Sequence, residues 1–264
     1  MSDDSTVSPM AQDRQVLAAQ QVQCFARDGA LVVPAFFDPA TMQRLSQWTD
    51  ELMHRPEAPG RHWVYYEDDR SREGARVLSR IENFCPFHDE MNALLTGARV
   101  MAALEQLFGE PAVLFKDKIN FKLPGSAGFE PHQDVQAGWD RYADLHISML
   151  VSIDAATVRN GCLEIAAGWH ARGLIGDMWT PLGDAVPDAA YRCCPTEVGD
   201  VVFFDSFIPH RSAPNATDAP RRVLYMTYNG LSAGDQRARY YADKHASYPP
   251  DIERAADREY VYRV

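Results

Sequence analysis

Pro131-His132-Gln133-Asp134 sets an imidazole and a carboxylate two residues apart. In an extended segment, residues at that spacing point to the same side, so His132 and Asp134 can converge on one point. A third ligand has to come from a distant stretch. The best candidate is His210, which follows the apolar segment Val201-Val202-Phe203-Phe204. Two histidines and one carboxylate on one face of a metal form the ligand set of non-heme Fe(II) oxygenases, which leaves coordination positions open. Taken alone, His-x-Asp recurs by chance, and polar residues at a loop end are the competing reading.

The segment just before this motif is unusual. Lys116, Lys118, Asn120 and Lys122 alternate with Phe115, Asp117, Ile119 and Phe121, so a strand there has one strongly basic face. If that face met solvent, the other would have to bury Asp117, which is unfavourable. The lysines are therefore expected to point inward at an anion, Lys118 first among them. Continuing the alternation past Asp134 puts Gln136 on the ligand side and Trp139 near the mouth of the site. Trp63, Tyr65, Tyr66 and Trp139 are aromatic candidates for an ammonium group, with ordinary packing as the alternative. His146 and His170 read as structural, and Cys193-Cys194 as strand or turn residues. His88-Asp89-Glu90 lacks the second histidine of a zinc protease, and there is no Gly-x-Ser-x-Gly elbow, phosphate loop or dinucleotide fingerprint.

These residues need a scaffold, and the composition allows one. The 264 residues are 46% hydrophobic and 24% charged, which excludes a disordered chain, a collagen-like repeat and a coiled coil. A net charge of −11 argues against nucleic-acid and anionic-membrane partners. The five cysteines fit no disulfide framework or zinc ribbon. The acidic opening is unlike a signal peptide, and no apolar run approaches the roughly 20 residues of a membrane span. A cytoplasmic protein of a reducing compartment is the expectation, which leaves the glycosylation pattern Asn215-Ala216-Thr217 without meaning.

Residues 1–13 read as a flexible tail and 14–264 as a single domain. A helix is expected over 14–27, a short strand over 30–33, and a helix starting at Asp38-Pro39 with Met42, Leu45, Trp48 and Leu52 on one face. Residues 54–82 read as a long loop and candidate lid. A further helix spans 89–108 and stops at Gly109. Strands follow at 112–122, 146–153, 162–166, 201–204 and 222–228, separated by turn signals such as Leu123-Pro124-Gly125 and Arg159-Asn160-Gly161. Helices first and spaced strands later indicate an α+β domain with a mainly β core, a sandwich or jelly roll.

The ordered series Lys122-Leu123-Pro124-Gly125, His132-Gln133-Asp134, Asn160-Gly161-Cys162-Leu163-Glu164, Gly168-Trp169-His170, Gly199-Asp200-Val201-Val202-Phe203-Phe204, His210-Arg211-Ser212, Pro214-Asn215 and Arg221 resembles the phytanoyl-CoA dioxygenase family of Fe(II)/2-oxoglutarate oxygenases. Phe25-Ala26-Arg27-Asp28-Gly29 and Phe36-Phe37-Asp38-Pro39 resemble that family's opening. The resemblance covers roughly residues 20–230. It implies a double-stranded β-helix, a cupin-like jelly roll with N-terminal helices packed on one side. It also implies Fe(II) held by His132, Asp134 and His210, with 2-oxoglutarate and O2 as co-substrates and ascorbate as an in vitro reductant.

Arg221 matches the arginine that grips the distal carboxylate of 2-oxoglutarate, and Ser212 is placed to assist. A guanidinium forks onto a carboxylate where lysine offers only a point charge. Arg222 then reads as a solvated strand-start residue, and Lys118 as a second aid to 2-oxoglutarate or an acidic substrate. Leu150 stands where some relatives carry a cofactor-contacting tryptophan and receives no role. Related halogenases replace the carboxylate ligand with a small residue, so Asp134 implies hydroxylation. The run from Lys118 to Trp139 resembles the 2-aminoethylphosphonate and trimethylaminoethylphosphonate dioxygenases of this family. The expected substrate is thus a small polar or zwitterionic molecule, touched by Lys116, Asn120, Lys122, Gln136, Trp139, Tyr65 and Tyr66. A natural-product tailoring hydroxylase on the same scaffold, or a non-catalytic jelly roll that binds a metal or ligand, is the alternative.

Overall fold

The computed structural model describes residues 15–260 apart from Gly125. The expected tail over residues 1–13 and the glycine of the Leu123-Pro124-Gly125 turn lie outside the described residues. Eleven strands and five α-helices follow in the described chain. Helix α1 is Ala19–Asp28, α2 Pro39–His54, α3 Asp89–Leu95 and α4 Ala98–Phe108. Asp38 caps α2 by accepting from Thr41 N at 2.9 Å, and Pro39 opens its first turn. The expected single helix over 89–108 is broken at Thr96-Gly97. There a Cβ on Gly97 would lie 2.9 Å from Ala93 O, so the chain kinks where only glycine fits. Residues 15–18, expected to be helical, are irregular instead, and Gln106 Oε1 accepts from both Val16 N and Leu17 N at 2.9 Å.

The strands are β1 Ala30–Val33, β2 Trp63–Asp68, β3 Arg76–Glu82, β4 Ala112–Lys122, β5 Phe129–His132, β6 His146–Ser152, β7 Leu163–Ile165, β8 Arg192–Cys194, β9 Val201–Asp205, β10 His210–Ser212 and β11 Arg221–Gly230. They form a seven-stranded sheet in the order β1-β9-β6-β11-β4-β3-β2 and a four-stranded sheet in the order β5-β10-β7-β8. All pairings are antiparallel. This is the expected jelly roll.

The outer face of the large sheet carries Ile119, Phe121, Met149, Phe203, Leu224 and Met226. They share one core with Leu45, Leu52, Met91 and Leu104 of the helices. Between the sheets, Leu150, Val202, Phe204 and Val223 meet Leu163 and Ile165. Burial of two such layers supplies the folding drive, at roughly 25 cal/mol per Å2 of apolar surface.

Residues 54–82 are mainly a hairpin and not a long loop. β2 and β3 pair from Trp63↔Glu82 to Asp68↔Arg76 and extend the large sheet beside β4. The charged residues at the turn conceal a strand signal that lies in Trp63-Val64-Tyr65-Tyr66 and Val77-Leu78. The chain also forms α5, Arg237–Ser247, beyond the reach of the sequence expectations. It covers the open edge near β2, β3 and the start of β4, with Tyr240 and Tyr241 buried against Trp63, Phe115 and Trp139.

Candidate active site

His132 ends β5 and is the direct register partner of His210, which begins β10. The ring centroids are 4.2 Å apart, and His210 Nε2 lies 3.9 Å from Asp134 Oδ1. Ligand atoms of His132, Asp134 and His210 all fall within 4.8 Å of one another. Each imidazole is oriented by the backbone, with His132 Nδ1 2.6 Å from Glu130 O and His210 Nδ1 3.0 Å from Ile208 O. A carbonyl can only accept, so Nδ1 carries the proton and both Nε2 lone pairs are left for a metal. Asp134 Oδ2 accepts from Ser148 Oγ at 3.1 Å, and Ser148 is in turn 3.1 Å from Thr227 Oγ1. Burial, then the neighbouring His210 charge, pushes His132 down to about 3. Burial alone would raise Asp134, yet His210 and His132 hold it below the usual carboxylate range. Neutral imidazoles and an ionised carboxylate are the forms that ligate a divalent metal.

A second polar group lies on the large sheet. Arg221 on β11 and Lys122 on β4 are register partners, so two cations sit side by side. Lys122 Nζ donates to Ser212 Oγ at 2.7 Å and to Ala213 O. Gly161 makes this possible, because at φ +76° a Cβ there would press on Ala213 O and lie 3.0 Å from Lys122 Nζ. Asn215 holds the end of β4 by donating to Lys122 O at 2.8 Å. Arg221 is 2% exposed, and its Nε has no hydrogen-bond partner among the described residues. Burial and the Arg221 charge push the Lys122 amine down to about 7. Like charges buried side by side are unfavourable without an anion between them, so this pair fits a carboxylate. Sequence reasoning put Lys122 with the substrate and Lys118 with the cofactor. The structure brings Lys122, not Lys118, to Ser212 and Arg221.

Lys118 lies between the two groups, 4.8 Å over the Tyr225 ring and 6.0 Å over Phe129. Its amine is pushed down to about 7 by burial and then by Lys116. Asn120 is buried, and its Oδ1 has no partner among the described residues. The lysines face inward as expected, but burial of Asp117 on the other face is not unfavourable, because it is fully partnered there. Asp117 is fully buried on the other face, where it accepts from Phe84 N at 2.6 Å, Cys85 N at 2.9 Å and Tyr241 Oη at 2.8 Å, and pairs with Arg237. Both faces of β4 are therefore buried, and the outer one carries Asp117 beside the apolar Ile119 and Phe121.

Lys116 lies beyond the triad, 5.4 Å over Trp139 and 5.8 Å over Tyr240. A bulge in the β11–β4 pairing brings Phe115 and Lys116 to the same neighbours. Trp139 is buried, with its indole N–H unpartnered among the described residues. Gln136 is not on the ligand side. Residues Asp134–Ala137 form a 3-10 turn that ends the alternation. The Gln136 carboxamide donates to Asp177 O and Thr180 O at 2.8 and 2.6 Å and accepts from Gln133 N at 2.9 Å.

Tyr65 and Tyr66 diverge at a bulge in the β2–β3 pairing. Tyr65 is buried and stacks on Tyr248 at 5.6 Å, whereas Tyr66 Oη donates to Glu57 on the helix side. Arg222, expected to be solvated, is half-buried and bidentate to Asp154 at 2.8 and 2.9 Å. Among the described residues, no helix is long and apolar enough to cross a membrane.

Comparisons with known proteins agree with this geometry. The family model for phytanoyl-CoA dioxygenase (PhyH) matches residues 25–223. The chain is 39% identical over 237 residues to a 2-aminoethylphosphonate dioxygenase from uncultured bacterium HF130_AEPn_1, covering 88% of this chain and 89% of that protein. It is 36% identical over 237 residues to the methylphosphonate hydroxylase of Gimesia maris, covering 88% of each. Among solved structures, EctD from S. alaskensis, crystallised with 2-oxoglutarate and 5-hydroxyectoine, superposes with a TM-score of 0.70 at 23% identity. That match covers 83% of this chain and 78% of the other, and the likeness is one of fold.

Proposed function

The chain belongs to the phytanoyl-CoA dioxygenase family of Fe(II)/2-oxoglutarate-dependent dioxygenases, and we propose that it hydroxylates an aliphatic carbon of a small phosphonate-bearing substrate. The observation that carries this reading is the pairing of a His132–Asp134–His210 triad, its histidines on the small sheet, with a buried Arg221–Lys122 pair on the large sheet. His132, Asp134 and His210 would hold Fe(II), while Arg221, Lys122 and Ser212 would take the distal carboxylate of 2-oxoglutarate. When bound, the iron supplies O2 activation, one oxygen atom leaving in succinate as CO2 is released and the other entering the substrate C–H bond.

The protein's own part is positional. Carbonyls of Glu130 and Ile208 fix the ring planes, and Ser148 fixes the Asp134 carboxylate. Leu150, Val202, Phe204 and Val223 wall the space between the sheets with apolar surface, which excludes water and strengthens charge interactions there. Charge-assisted hydrogen bonds to the co-substrate contribute about 1.5–3 kcal/mol each.

Substrate class follows from the polar groups around the triad. Lys116 and Lys118 both act on Asp134 from nearby, and the unpartnered Trp139 Nε1 adds a donor for a small anion, whereas the unpartnered Asn120 Oδ1 can only accept, as from an ammonium group. The relatives named for phosphonate oxidation support the same choice. The test is succinate release with Fe(II), ascorbate and 2-oxoglutarate across phosphonates, betaines, amino acids and acyl-CoAs. The expected result is stimulation by 2-aminoethylphosphonate or methylphosphonate with an oxygen atom gained in the product. Stimulation by another class alone would refute the phosphonate assignment.

A further inference from the structure

Gln133 stands between His132 and Asp134 and is fully buried. Its backbone is extended, at φ −112° and ψ 136°, so its side chain points away from that of His132. Both N–H groups and the oxygen of its carboxamide are engaged. Nε2 donates to Gly173 O at 2.9 Å and to Phe207 O, while Oε1 accepts from Ile175 N at 2.7 Å. Phe207 immediately precedes Ile208, whose carbonyl orients the His210 ring. The β5–β10 ladder ends at the His132↔His210 pair. Past that end, the chains run on as residues 133–135 and 206–209. They are joined there by the Gln133 bond to Phe207 O and by one backbone bond, Val135 N to Ser206 O at 3.1 Å. A single carboxamide thus ties the stretch carrying His132 and Asp134 to the stretch leading into His210, and ties both to the loop after Gly173. Gln136 is equally buried, but its bonds go elsewhere. It donates to Asp177 O and Thr180 O and accepts from Gln133 N, so it fastens the same loop without reaching the His210 side.

We propose that Gln133 is a positioning residue for the metal centre, setting the separation of His210 from His132 and Asp134 before a metal arrives. It touches neither metal nor substrate and acts through Phe207 and Ile208 on the His210 ring. This inference rests on the reading of the triad as the metal site. The hydrogen bonds also fix which way the amide lies, since Gly173 O and Phe207 O can only accept and Ile175 N can only donate. An apolar side chain of similar length would leave those three buried groups without their partner, and the two ligand-bearing stretches would lose their side-chain link. Gln136 supplies the internal comparison. It is as buried and makes as many bonds, so its loss reports what loosening the loop does by itself.

The test is a competition titration of Co(II) on the metal-free full chain, with melting temperatures recorded alongside. Gln133→Met should weaken Co(II) binding about 10-fold. Gln136→Met should lower the melting temperature comparably and keep the affinity within about twofold of wild type. In a His210→Ala background, adding Gln133→Met should cost less than about twofold, because the ligand it positions is gone. Gln133→Asn, whose amide is one methylene too short to span the same partners, should repeat the loss and serves if Gln133→Met does not fold. The inference is overturned if the Gln133 variants weaken the metal no more than Gln136→Met does, or by the same factor with and without His210. Wild type that binds no Co(II) would overturn the metal-site reading and this inference with it. Binding that obeys the pattern without any hydroxylated phosphonate would instead overturn the proposed reaction and leave this inference standing.

Discussion

The two cationic ends of the inner sheet face are built in opposite ways. At one end, Arg221 and Lys122 come from adjacent strands and Ser212 from the other sheet, and no carboxylate pairs with Arg221 among the described residues. At the other, Arg80, Lys116 and Lys244 surround an acid, Glu82, and one of them comes from a helix outside the barrel. The first end is set by strand register, so it can change little without loss of the fold. The second depends on how a C-terminal helix docks, so it can change with the substrate. An invariant co-substrate suits the first arrangement and a varying substrate the second.

The largest effect expected from breaking this contrast is at Arg221. Arg221→Ala should raise the KM for 2-oxoglutarate on the order of 10- to 100-fold, since a bidentate charge-assisted pair is lost. Arg222→Ala, which breaks a bond to Asp154 instead, should leave that KM unchanged and lower the melting temperature. Steady-state succinate assays and thermal melts together separate the two residues.

Lys122 sharpens the comparison through pH. Its amine is depressed to about 7 in the free protein, so the unfolded chain binds more protons from there up to about 10.5. Free-protein stability at this group therefore rises with pH across that window. An incoming carboxylate reverses the shift, so 2-oxoglutarate binding at pH 8 should take up a proton. Calorimetry in buffers of differing ionisation enthalpy should show this uptake, and Lys122→Met should lack it.

Ser148→Ala should weaken metal binding by about 10-fold, the lower range for loss of an outer hydrogen bond to a ligand. Equal metal affinity in a competition titration would show that Asp134 needs no such support. The smallest effect is expected at Tyr66. Tyr66→Phe loses only the bond to Glu57, so the phosphonate KM should not move. A rise would place that aromatic at the substrate after all.

The sequence made the triad legible because two ligands share one local spacing and the third follows an apolar strand. The basic face of β4 was legible through strict alternation from residue 116 to 122, and the helices through their caps and apolar spacing. Gln136 defied the same alternation because a 3-10 turn begins at Asp134, and no local signal marks that change of period. The β2–β3 hairpin stayed hidden since its charged turn resembles a loop. That Lys122, and not Lys118, stands beside Arg221 depends on a pairing across 99 residues of chain that one-dimensional periodicity does not carry. Glu82 and Lys244 meet only in three dimensions.

The central claim is that the barrel holds Fe(II) on His132, Asp134 and His210 and 2-oxoglutarate on Arg221, across its two sheets. The most direct measurement is the visible charge-transfer absorption of an Fe(II)–2-oxo acid chelate, recorded anaerobically as 2-oxoglutarate is titrated. Wild type should develop the band, Arg221→Ala should need far more 2-oxoglutarate to reach it, and Asp134→Ala and His210→Ala should lose it. A band that survives undiminished in Asp134→Ala and His210→Ala, or fails to form in wild type, would contradict the account.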